Sequence, residues 1–129
     1  MNILEGKIVK IQTKDDISLV FVDVKGSIFS SLLLDTKAMG LDVGDKVELL
    51  FKETEVLISS PSSQVSARNA FISKVISIEK GEILSQIDFS FIDGIISSII
   101  TTNALNALDI KEQEEFLWFV KANEVSVRA

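Results

Sequence analysis

Neither cysteine nor histidine occurs anywhere in the 129 residues. Disulfides, thiolate nucleophiles, soft-metal sites and the commonest general base are thereby excluded. No nucleophile and base pair or cation-ligating set can be assembled from what is left, so the chain reads as a non-enzyme with no organic cofactor and no direct metal ligands. Positive charge is scarce as well. Thirteen Lys and Arg against nineteen Asp and Glu leave a net charge of -6, the wrong sign for a protein that grips phosphate backbones over many contacts. No apolar run approaches the ~18 residues that span a bilayer. The start "MNILEGKIVK" has neither the basic region nor the long apolar core of a signal peptide. A cytoplasmic protein without a membrane partner is expected. Proline occurs once, at Pro61.

Apolar residues are abundant: 47% of the chain, with mean hydropathy +0.34. So short a chain cannot hide all of this internally, and exposed faces such as those of Leu117, Trp118 and Phe119 are expected to meet another chain. The chain also repeats itself. Lys52-Glu53-Thr54-Glu55-Val56 recurs as Lys121-Ala122-Asn123-Glu124-Val125 after 69 positions, Gly26 as Gly94 after 68, and Ile8 and Ile11 as Val75 and Ile78 after 67. Small loop insertions produce such a drift, and a fixed period marks a duplicated module. Between the copies lies "SSPSSQ" (Ser59 to Gln64), which reads as an exposed linker. The division expected is a module over 1–60, a linker over 61–65 and a second module over 66–129. Charge divides evenly between them, with seven basic and ten acidic residues in 1–60 and six and nine in 61–129.

Strand signals dominate each module. "ISLVFVDV" (Ile17 to Val24) and "ILSQIDFSFI" (Ile83 to Ile92) are rich in β-branched and aromatic residues, and the second alternates between an apolar and a polar face. Turns follow at "VKGS" and "IDGI". A third strand comes next (Ile28 to Leu34; Ile95 to Thr101), then a short helix opening at Asp35 in one copy and at Thr102 or Asn103 in the other. A fourth strand ("KVELLFK"; "EFLWFVK") and a short fifth ("EVLIS"; "EVSV") close each module. Five strands and one small helix in ~60 residues predict an all-β protein of two tandem OB-like five-stranded barrels, each with a short helix.

Ser66-Ala67-Arg68-Asn69 opens the second module, Ile99-Ile100-Thr101 ends its third strand, and Lys121-Ala122-Asn123-Glu124-Val125 follows its fourth. This order resembles the Mop or TOBE module of the molbindins, and two copies in one chain resemble the tandem, di-Mop members. The resemblance implies an intracellular molybdate-binding protein, with tungstate as a second oxyanion, acting in storage or homeostasis of molybdenum. It implies a site made by Ser66, Ala67, Arg68, Asn69, Lys121, Ala122 and Asn123, with a possible second-module contribution from Lys52, Glu53, Thr54 and Thr101. Molbindins assemble six modules, so it also implies a trimer of two-module chains, in which one module's S-A-R-N meets the K-A-x of another. The chain departs from the pattern at Ala104, where a serine is usual, and at Gln113, where a turn glycine is usual; the first module keeps that glycine as Gly44 but has no S-A-R-N. It can be scaffold, a weaker binder, or a donor of Lys52 and Thr54.

The residue chemistry suits this implication. A tetrahedral dianion needs several donors converging on a small volume, and "SARN" offers a hydroxyl, a guanidinium fork, an amide and backbone N–H groups within four residues. Distant carboxylates are screened over about 8 Å at physiological salt, whereas Arg68 and Lys121 would act at contact distance. A lone Arg at a strand mouth is ordinarily a solvated surface residue, and Lys52 and Lys121 read in isolation as edge-protecting lysines. Two other functions compete: a ligand-sensing module of a molybdate-responsive regulator or transporter acting with a separate chain, and an OB-type oligonucleotide binder. No helix-turn-helix or nucleotide loop supports the first. The second would need a basic stripe beside Phe89, Phe91, Trp118 and Phe119, which read as core or subunit interface.

Overall fold

The computed structural model describes residues 1–34 and 40–129. The helix expected at Asp35 falls on 35–39, outside the described residues. Among these described residues ten strands run in chain order: β1 (Asn2–Lys14), β2 (Ile17–Val24), β3 (Ser27–Leu34), β4 (Lys46–Phe51), β5 (Leu57–Ser59), β6 (Asn69–Lys80), β7 (Leu84–Phe91), β8 (Gly94–Thr101), β9 (Glu115–Val120) and β10 (Ser126–Arg128). A single α-helix among the described residues, α1 (Thr102–Leu108), and short 3-10 turns at Glu53–Glu55 and Ala122–Glu124 complete the set used below. Two compact units result, one of Met1–Phe51 with Lys121–Ala129, the other of Lys52–Val120.

The first unit is an antiparallel five-stranded sheet in the order β10-β4-β1-β2-β3. The period-two pattern of "ISLVFVDV" turns Ser18, Val20, Val22 and Val24 inward. Lys25 (φ 49) and Gly26 (φ 99) both take left-handed conformations, as a two-residue hairpin matched to strand twist requires. Asp23 holds this turn by accepting a 2.8 Å hydrogen bond from the Gly26 N–H. Ile8, Val20, Val22, Phe29, Leu49 and Phe51 form the core, and Val125 joins them at 2% exposure.

The second unit repeats the plan in the order β5-β9-β6-β7-β8. Val75, Ile87, Phe89, Ile96, Trp118 and Val120 are its core, with Val56 at 1% exposure. Phe91 lies 5.2 Å from Phe71 and 5.1 Å from Trp118, centroid to centroid, and the Trp118 Nε1–H donates to Ser73 Oγ at 3.0 Å. The indole thus stays buried with its one polar atom satisfied. Helix α1 begins one residue before the expected caps: Thr101 is the N-cap, its Oγ1 accepting from the Ala104 N–H at 3.1 Å. The duplication reaches individual bonds. The N–H of Gly44 donates to the Ile8 carbonyl at 2.8 Å, that of Gln113 to the Val75 carbonyl at 2.7 Å, and a bulge follows both Ile8 and Val75.

Two expectations are corrected. The fifth strand of each repeat does not close its own repeat's sheet. β5 pairs with β9 (Leu57↔Phe119, Ile58↔Trp118), and β10 pairs with β4 (Ser126↔Leu50, Val127↔Leu49). Each exchanged segment is anchored by a buried hydrogen bond: Ser98 Oγ–H donates to the Val56 carbonyl at 2.6 Å, and Ser31 Oγ–H donates to the Val125 carbonyl. The repeats are alike, so β4 and β9 offer equivalent edges to equivalent tails, and hydropathy patterning has no means of distinguishing the two connections. Nor does "LWF" present an exposed face: Leu117 is buried, Trp118 is 0% exposed and Phe119 is half-buried. Apolar exposure lies instead at Ile72, Ile83, Leu84 and Ile95 in this unit and at Ile3, Ile28 and Leu34 in the first.

Candidate anion site

"SARN" enters β6 through bends at Ser66 and Arg68, and its side chains are buried unequally. Asn69 begins the strand opposite Val120 and is buried, Ala67 is buried, and Ser66 and Arg68 are exposed. Arg68 stands on an open cavity of about 440 Å³ whose walls are Ser63, Gln64, Val65, Ala67, Ala70 and Leu117. Its guanidinium makes no ion pair or hydrogen bond among the described residues. A fork of five donors with no protein acceptor, at the mouth of an open cavity, is suited to an anion. Ser66 and Asn69 do not line this cavity. Asn69 shares its strand-opening register with Asn2, which begins β1 opposite Phe51 and is also buried. Met1 therefore stands in the first repeat where Arg68 stands in the second.

The remaining expected residues divide between the units. Lys52, Glu53, Thr54 and Thr101 belong with Arg68 in the second, whereas Lys121, Ala122 and Asn123 belong to the first. Lys52 and Lys121 do the same local work: each is an exposed, extended residue before a 3-10 turn, with its carbonyl accepting a 3.0 Å bond from Glu55 or Glu124. Thr101 is committed to capping α1. The larger cavity of about 590 Å³ lies in the first unit, among Lys7, Lys25 and Lys46 and also Glu5, Asp23 and Glu48. Opposite charges alternate around it and Arg128 occupies Glu48 at 2.7 Å, so it does not concentrate donors of one kind. Among the described residues there is no group of three acidic side chains placed to hold a metal ion.

Sequence reasoning missed Ser63, Gln64, Val65, Ala70 and Leu117. Pro61 was the available signal for the first three, since a proline pre-sets a turn and does not only mark a loop.

The fold and this site define a class: a tandem pair of small OB-like barrels with an arginine presented at the mouth of the second. Comparison with known proteins agrees on the fold. Residues 1–58 match the TOBE domain. Over 99% of this chain and 95% of the other, with a TM-score of 0.91 and 22% identity, the fold is that of ModG, a cytoplasmic molybdate-binding protein whose crystal structure was solved with molybdate bound. No curated protein sequence matches the chain.

Proposed function

We propose that this protein binds molybdate, and tungstate as its close analogue, as a cytoplasmic store or buffer of the anion and without catalysing a reaction on it. One observation carries the reading: Arg68, with no protein acceptor, lines an open cavity in a chain whose fold matches that of molybdate-bound ModG. The donors assigned are Arg68, Ser66 and the backbone around Ala67 and Asn69, completed by Lys121, Ala122 and Asn123 of another copy, with Lys52, Glu53 and Thr54 at the corresponding place of the first repeat. About 440 Å³ is far more than one tetrahedral oxyanion fills, given about 30 Å³ per molecule in liquid water. The surplus leaves room for donors from a second chain, in a trimer of two-module chains.

Calorimetric titration with molybdate, tungstate, sulfate and phosphate tests the reading. Saturable heat with the first two is expected, and Arg68→Ala loses about 2 to 4 kcal/mol, roughly 30- to 1,000-fold in affinity. Absence of binding to molybdate and tungstate overturns it. Light scattering with and without molybdate tests the assembly. A ligand that binds only the trimer stabilises it by mass action, and a monomer that binds with full affinity refutes the shared site.

A further inference from the structure

Between the repeats the chain is folded, not extended. The Ser63 N–H donates to the Ser60 carbonyl at 3.1 Å, which closes a four-residue turn with Pro61 at its second position, where the ring's fixed φ is preferred. The Ser60 and Ser63 hydroxyls are 2.8 Å apart, so one donates to the other. Ser63 and Gln64 emerge from this turn onto the wall of the cavity that Arg68 lines. Ser60 is exposed and does not reach that cavity.

We infer that the inter-repeat segment is the second wall of the anion site: the Ser63 hydroxyl and the Gln64 carboxamide donate hydrogen bonds to the tetrahedral dianion held by Arg68, and Ser60 orients Ser63. This rests on the anion-binding reading of Arg68 and extends it to residues outside "SARN". Hydroxyl direction is the working element. When Ser60 donates to Ser63, the Ser63 proton is released toward the cavity, and the chain Ser60→Ser63→anion polarises cooperatively. Gln64 supplies two N–H donors from a neutral group, and its carbonyl can turn away. A fully deprotonated oxyanion offers only acceptors, so a wall of donors beside a guanidinium suits it better than a protonated one such as hydrogen phosphate. Val65 and Leu117 contribute apolar lining that strengthens each of these bonds.

The test is calorimetry with sodium molybdate on the full chain and six variants, one of them the double variant Ser60→Ala/Ser63→Ala. Ser63→Ala and Gln64→Ala each lose about 10- to 150-fold in affinity, as expected for one hydrogen bond to a charged group. Gln64→Glu keeps the side chain's size, places a carboxylate at the anion and abolishes binding, while the thermal midpoint without molybdate stays at the wild-type value because the residue is exposed. Ser60→Ala has a smaller effect than Ser63→Ala and none once Ser63 is already Ala, which separates orientation from contact. Wild-type affinity in Gln64→Glu and Ser63→Ala, alongside loss in Arg68→Ala, overturns the second wall and leaves the Arg68 site standing. Absence of molybdate binding by the wild type overturns both.

Discussion

Gln113 holds φ 72 at the turn where its first-repeat counterpart Gly44 has φ 98. A left-handed conformation costs a residue with a Cβ about 1–2 kcal/mol, part of which glycine forfeits through its freer unfolded chain. Gln113→Gly is therefore expected to stabilise by about 0.5–1 kcal/mol, read as a higher urea midpoint at unchanged slope. Asp88 makes a second prediction. Partial burial pushes its pKa up, but the Ser97 hydroxyl (2.7 Å), Gln86 amide (3.0 Å) and Ser77 hydroxyl (3.0 Å) all donate to its carboxylate, and the result lies below the ordinary value of 3.8. A carboxyl group held below its unfolded pKa contributes stability above about pH 4 that is lost as pH falls through the folded value. Asp88→Asn should lower stability at neutral pH and make its decline as pH falls below about 4 shallower in urea titrations. An unchanged acid limb would show that the network contributes nothing. At this scale the sequence was informative about Arg68, whose isolation in an acidic chain asks for an explanation, and silent about Ser63 and Gln64, which are ordinary linker residues until a turn faces them into a cavity.

The elements most affected by tertiary context are the shortest. β5 and β10 have three residues each, too few to be stable without neighbours. Each is held by its ladder, by a plugging valine and by one buried serine. Full burial of a valine is worth about 1.5 kcal/mol or more, and a buried carbonyl left without its donor costs about 1–3 kcal/mol. Ser98→Ala and Ser31→Ala are each expected to destabilise by about 1–3 kcal/mol, with hydrogen exchange accelerated first in Leu57–Ser59 and Ser126–Arg128 respectively. Protection that falls evenly over both sheets would show that these serines do not anchor the tails. The long strands were readable because β-branched alternation and a duplicated pattern support each other: β2 matches the reading residue for residue, and β7 lies one residue inside it at either end. "KETEV" and "KANEV" were readable as recurrences but not as crossing points.

On the scale of the whole chain, exchange of the tails makes the repeat and the folding unit different things. A fragment of residues 1–60 contains β1 to β4 but not β10, so its β4 edge is unpaired while its own β5 has no β9 to join. β5 is the repeat equivalent of β10, and two fragments can satisfy each other by mutual exchange. Sedimentation of this fragment should give a dimer whose folded fraction rises with concentration, whereas a folded monomer would show that β5 can turn back onto its own sheet. The exposed isoleucines and leucines of both units remain available for contacts between chains, consistent with the assembly proposed above.

The sequence was sufficient for what depends on local chemistry and repetition: the all-β class, two modules of five strands and the turn positions. Period-two burial and turn preferences act within a few residues of their cause, so they can be read along the chain. Which edge each fifth strand joins, and which side chains share a wall with Arg68, depend on through-space partners many positions away. Val125 meets Ser31 across 94 residues and Val56 meets Ser98 across 42, and because the repeats are equivalent either connection satisfies the same pattern. Only the fold distinguishes them, through one buried hydrogen bond and one plugging valine at each exchanged tail.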